Sequence, residues 1–195
     1  AFGMTACSEE DNTVEEYPNW QATNEAYFNR LTDSVLTLIS LNPARTDWQR
    51  IKCWSKSDSI EGSNGDYIIV NVIEEGDAAS GVPLYTDTVS VHYLGRLLPS
   101  TSYPQGYVFD SSYDGYFDPA VASPAEFAIG NSSGTSLVDG FATALQHMRR
   151  GDHWVVYIPY QLGYGASGYS SIPGYSTLIF DLRMVDFWSP EVQED

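Results

Sequence analysis

Residues 127–187 read FAIGNSSGTSLVDGFATALQHMRRGDHWVVYIPYQLGYGASGYSSIPGYSTLIFDLRMVDF. Leu137, Phe141, Leu145 and Met148 lie four, four and three apart, one buried stripe of a short helix. Ser136 is placed to cap it, with Asp139 as a weak capping-box partner. Arg149 and Arg150 face its negative end, and Gly151 suits a left-handed C′ position. Gly140 inside the helix marks a close approach to another backbone. Trp154–Ile158 and Thr177–Phe187 follow as strands, the second with strict apolar alternation at Leu178, Phe180, Leu182 and Met184.

Upstream, Tyr67–Ile73 is rich in β-branched residues and reads as a strand. Thr88–Leu98 is another, with Val89, Val91 and Tyr93 on one face and Ser90, His92 and Leu94 on the other. Gly95 within it marks a bulge or bend. Tyr107–Asp110 and Ala125–Ile129 are short strands, separated by a Tyr/Asp/Gly/Pro loop at 113–123. A helix crossing an antiparallel sheet is an α+β layer arrangement.

The formal net charge is −17, so nucleic acid and anionic lipid are repelled. Two cysteines, Cys7 and Cys53, make no disulfide framework or metal cluster, and a bridge between them is left open. His92, His147 and His153 have no metal-ligand spacing, and there is no Walker loop or dinucleotide fingerprint. No run of about 18 apolar residues offers a membrane-spanning helix.

Met4-Thr5-Ala6-Cys7 resembles a bacterial lipobox, which makes Cys7 the expected lipidation site. Residues 1–6 look like the tail of a signal peptide, the acidic run after Cys7 is then a tether, and residues 1–20 form one unit. Residues 21–60 read as a helical extension: Phe28, Leu31, Val35, Leu38 and Ile39 share a helix face from Asn24, as cap, to Leu41. Trp48, Ile51 and Trp54 continue an apolar face as a second short helix. Such stripes ordinarily cover a sheet; a dimerisation helix is the alternative. The Ser/Gly/Asn/Asp-rich stretch 57–66 bounds the main domain, residues 61–195.

Val91-His-Tyr-Leu-Gly95, Phe109-Asp-Ser-Ser112, Phe127-Ala-Ile-Gly130, Leu137-Val-Asp-Gly-Phe141, Met148 with Gly151, Ile158-Pro159, Tyr164-Gly165, Ile172-Pro173 and Thr177-Leu-Ile-Phe180 occur in that order. Together they resemble the FKBP-type peptidyl-prolyl isomerases. The resemblance implies an antiparallel sheet of five or six strands wrapped around one helix. It implies isomerisation of X–Pro bonds in proline-containing polypeptides, without a cofactor. Its substrate pocket would comprise Tyr93, Phe109, Leu137, Phe141, Ile172 and Phe180, with Asp110, Tyr164 and the Val138 N–H as the catalytic groups. Phe141, the floor, stands where the family usually has Trp; Ala125 stands in place of a wall aromatic, and Ser171 in place of an isoleucine. Tyr113, Tyr116 or Phe117 is a candidate to replace that wall.

With the lipobox, the resemblance implies a lipid-anchored bacterial envelope protein that assists the folding of exported chains. The alternative is a non-catalytic binding module on the same fold, since fold does not fix function. A third reading gives the Tyr-rich loops a glycan or host protein.

Overall fold

The computed structural model describes residues 13–130 and 136–190. Cys7, and with it the lipidation and Cys7–Cys53 readings, lies outside the described residues; Cys53 is a buried free thiol. Helix α1 spans Trp20–Leu41 and helix α2 spans Asp139–Leu145. The strands are β1 Trp48–Lys52, β2 Tyr67–Glu74, β3 Thr88–Arg96, β4 Val108–Ser111, β5 Ala125–Ala128, β6 His153–Ile158 and β7 Leu178–Trp188. All pair antiparallel in one sheet ordered β1-β2-β6-β7-β3-β4, with β5 also on β3. The fold is α+β, as expected.

Strand β3 organises the sheet. One edge pairs along its length with β7, from Thr88↔Trp188 to Arg96↔Ile179. The other edge is shared in tandem: β5 takes Thr88–Val91 and β4 takes Leu94–Arg96. Between them Ser112 bonds both backbone groups of Tyr93: its Oγ accepts from Tyr93 N–H at 2.9 Å, and its N–H donates to Tyr93 C=O at 2.9 Å.

The inner face carries Ile68, Val70, Tyr93, Val156, Ile158, Leu178, Phe180 and Leu182, and α2 seals it with Phe141, Ala144 and Leu145. Gly140 is needed there, because a Cβ would lie 2.4 Å from Ile158 Cγ2. The close neighbour is thus a side chain rather than a backbone. Phe28, Leu31, Val35 and Ile39 of α1 cover the outer face at Ile69, Trp48 and Tyr157. The amphipathic stripe therefore packs on the sheet.

Several local expectations are corrected. Trp48–Lys52 is a strand, not a helix, so the sheet has seven strands rather than five or six, and the extension contributes its edge. The open edge of β2 supplies hydrogen bonds to β1 that spacing alone does not reveal. Helix α1 begins at Trp20, and Asn24 is buried within it rather than capping it. Val138, not Ser136, is the N-cap of α2, and no side chain caps that end. Helix α2 stops at Leu145, before the arginines. The Arg150 guanidinium instead reaches Asp186 and the Phe187 carbonyl and lies 4.0 Å over the Phe187 ring. Gly151 does adopt φ +86°, in the turn before β6.

Candidate functional site

Five aromatic rings converge where α2 meets the inner face of β3. Phe141, from α2, lies edge-on to Phe180 at 4.9 Å, Phe127 at 5.7 Å and Tyr93 at 6.1 Å between ring centroids. Tyr93 meets Phe127 at 5.6 Å, and Phe109 meets Phe180 at 5.5 Å, both edge-on. Alternation places Tyr93, Phe109, Phe127 and Phe180 on the same side of four strands. Gly95 lets two of them close: a Cβ there would lie 2.6 Å from both Phe109 Cζ and Phe180 Cε1.

The rings surround an open cavity of about 140 Å³, also lined by Asp110, Ser136, Leu137, Val138 and Tyr164. That is smaller than the ~300 Å³ at which drug-sized ligand sites begin, and suits a single residue. Tyr93, Phe141 and Phe180 are buried; Phe109, Phe127 and Tyr164 are half-buried at the mouth.

The polar groups sit on the rim. Burial, then the neighbouring Asp110 carboxylate, raise the Tyr93 phenol well above its usual range. Burial, then the charge of Asp110, raise the Tyr164 phenol as well. Both hydroxyls therefore stay protonated donors at neutral pH. Asp110 Oδ1 also accepts the Ser111 N–H at 2.9 Å. Tyr164 stacks on Tyr169 at 5.2 Å with 14° between planes. Among the described residues the Val138 N–H has no hydrogen-bond partner.

The family model for FKBP-type peptidyl-prolyl cis-trans isomerase matches residues 82–185, more than half of the chain. The chain belongs to this family. It is 37% identical over 116 residues to the FKBP-type 22 kDa peptidyl-prolyl cis-trans isomerase of Escherichia coli K12, covering 59% of this chain and 47% of that protein. It is 38% identical over 104 residues to the macrophage infectivity potentiator of Trypanosoma cruzi, covering 53% and 44%. The chain thus spans about half the length of these curated relatives. A peptidyl-prolyl cis-trans isomerase of Pseudomonas syringae pv. tomato shares the fold at TM-score 0.51 and 23% identity, over 80% of this chain and 91% of that one.

Of the expected FKBP pocket residues, Tyr93, Phe109, Asp110, Leu137, Val138, Phe141, Tyr164 and Phe180 line the one cavity. Ile172 does not; it is 5% exposed, in the core, and bridged to Tyr169. Phe127 is a fifth ring that the residue-by-residue expectation left out, although its alternation with Ala125 in β5 signalled the inner face. None of the three loop rings fills the wall. Phe117 packs edge-on against His92 at 4.9 Å, on the outer face, with Tyr113 beside it, and Tyr116 is 99% exposed. The 113–123 loop leaves the β3 edge toward the outer face, away from α2.

Proposed function

We propose that the chain catalyses cis–trans isomerisation of X–Pro bonds in polypeptides, binding the proline in the five-ring cavity. The convergence of these rings with two protonated hydroxyls, beside a Val138 N–H that no described residue engages, supports the reading. Rotation about an X–Pro bond must cross about 18–20 kcal/mol because it breaks amide resonance. No bond to another atom forms or breaks, so a nucleophile is not needed. The planar amide is the more dipolar form, and an apolar enclosure raises it more than the twisted form. The proline ring rests on Phe141 between Tyr93 and Phe180. The Val138 N–H donates to a substrate carbonyl, the Tyr164 hydroxyl offers a second bond, and Asp110 stands near the prolyl carbonyl. Bonds made better to the twisted amide count as differential binding. Each tenfold acceleration needs about 1.4 kcal/mol, so two such bonds plus desolvation supply several decades.

A protease-coupled assay on an apolar-residue–proline peptide tests this. Acceleration above the spontaneous rate is expected, and its absence with folded protein refutes the reading. That outcome leaves the non-catalytic module, which gains from Ala125 and Ser171 and from loop rings that do not replace the wall aromatic missing at Ala125. We further propose an envelope location through a lipid on Cys7, supported by Met4-Thr5-Ala6-Cys7. Mass spectrometry of the membrane-derived protein would find Cys7 acylated; an unmodified Cys7 refutes the anchor.

A further inference from the structure

The buried stripe of α1 runs Trp20, Asn24, Phe28, Thr32, Val35. Asn24 is out of place in it: a 1% exposed amide on a packing face costs free energy unless its polar atoms are bonded. Both are. Its Nδ2 donates to the Trp20 carbonyl at 2.8 Å, and its Oδ1 accepts the Thr177 N–H at 2.7 Å, within buried surroundings. One turn earlier, Trp20 Nε1 donates to Ser176 Oγ at 2.8 Å, and Ser176 Oγ donates onward to the Pro173 carbonyl at 2.7 Å. Ser176 and Thr177 are 3% and 1% exposed, so water does not compete for these bonds.

Ser176 and Thr177 end the segment that carries Tyr164. That segment holds its own shape. Gly165 N–H bonds Tyr160 C=O at 2.8 Å, Tyr175 N–H bonds Gly165 C=O at 2.9 Å, and Tyr169 bridges Ile172. Its other end is tied to the same helix, where the Tyr160 hydroxyl donates to Glu25 Oε1 at 3.3 Å. A loop that is rigid within and fastened at both ends moves as one body, so its anchor sets where the Tyr164 hydroxyl stands over the cavity.

We propose that Trp20 and Asn24 are positioning residues for the proline site, acting through Ser176 and Thr177 on Tyr164. The inference rests on the isomerase reading for its kinetic consequence, but the anchoring is testable apart from it. The variants are Trp20→Phe, which keeps an aromatic ring beside Tyr17 (4.7 Å in the native chain) while removing the donor, and Ser176→Ala, which removes the acceptor. Each is expected to lower kcat about three- to tenfold with KM little changed, the effect of one lost hydrogen bond felt in the twisted state. In a Tyr164→Phe background Trp20→Phe adds no further loss, because the group it positions is gone. Amide hydrogen exchange over 160–177 accelerates in both variants, while exchange in β3 is unchanged. A lowered melting temperature with kcat and loop exchange unchanged overturns the proposal, as does full additivity with Tyr164→Phe. If the native protein does not accelerate isomerisation, the isomerase reading fails. Loop exchange in Ser176→Ala then still decides the anchoring, and unchanged exchange overturns it.

Discussion

Gly95→Ala tests whether the aromatic enclosure is a packed device. Gly95 lies in β3 opposite Asp110 on one side and Phe180 on the other. The added Cβ would lie 2.6 Å from Phe109 Cζ, 2.6 Å from Phe180 Cε1 and 2.7 Å from Phe109 Cε2, where ordinary contacts begin at 3.4 Å. Each ring must therefore retreat by about 0.8 Å if the backbone holds. Phe180 has little room, because Phe141 already meets it at 4.9 Å. Overpacking of this kind costs about 1–3 kcal/mol. In a chain of this size that lowers the melting temperature by about 2–4 °C per kcal/mol, so by about 2–12 °C. A displacement near 1 Å at a positioned group costs up to about 10²-fold in rate, so kcat/KM should fall about 10- to 100-fold where the protein remains folded. Thermal unfolding and the protease-coupled assay read the two effects. Phe109→Leu removes the Cζ and Cε2 atoms in the way but leaves the Phe180 contact, so the double variant should recover part of the lost stability. Gly95→Ala with an unchanged melting temperature and rate, or a double variant whose losses simply add, refutes the reasoning.

Tyr164→Phe keeps the stack on Tyr169 and should lower kcat about three- to tenfold with KM and melting temperature nearly unchanged, read by steady-state kinetics. Phe141→Ala empties a 4% exposed floor and should cost about 3–5 kcal/mol in denaturant unfolding; a loss under ~1 kcal/mol would mean the floor is not packed. Because burial raises both rim phenols, the isomerisation rate should stay flat between about pH 6 and 9, and a decline through that window counts against hydroxyl donors. Burial, then the charge of Arg183, push the His92 imidazole below its usual range. Below about pH 6.5 the unfolded chain therefore binds more protons than the folded one at this site, and the stability it contributes above that pH is lost on acidification. His92→Gln should flatten the melting-temperature profile between about pH 7 and 5; an unaltered slope contradicts this.

What the sequence revealed follows from the range of the forces involved. The inward faces of Tyr93 and Phe180 were legible because strand alternation is local, and that of Phe141 because helix spacing is local; that they line a pocket with Phe109 came from the family resemblance. Asp110, Tyr164 and Val138 have no local signature of their role, and only the family resemblance pointed to them. Trp48–Lys52 was misread because Trp48, Ile51 and Trp54 fit a helix face equally well. The vacant edge of β2, some twenty residues on, decides the matter. The direction of the 113–123 loop was equally hidden. Phe117 goes to the outer face because His92 and Arg183 are there, with Arg183 lying 4.4 Å over its ring. Asn24 looked like a cap because asparagine favours helix starts. Its actual partner, Thr177, lies 153 residues away.

The tandem pairing on β3 explains how a short sheet makes a cavity without a hole in its hydrogen bonding. Two strands meeting end to end along one edge must leave a gap where neither pairs, and here the gap falls at His92 and Tyr93, with the Tyr93 N–H and C=O turned to it. An unpaired backbone group there would cost about 1–3 kcal/mol, but Ser112 satisfies both the N–H and the C=O. The edge can therefore part without destabilising the strand. The Phe127 ring, from one side of the parting, then meets Tyr93, and the Phe109 ring, from the other, meets Phe180, so that both line the cavity. Ser112→Ala removes only the side-chain half of that bridge and leaves every ring in place. If the parting defines the cavity, this variant should perturb exchange at Tyr93 and the isomerisation rate together. An effect on exchange alone would assign the cavity to the rings and not to the strand beneath them.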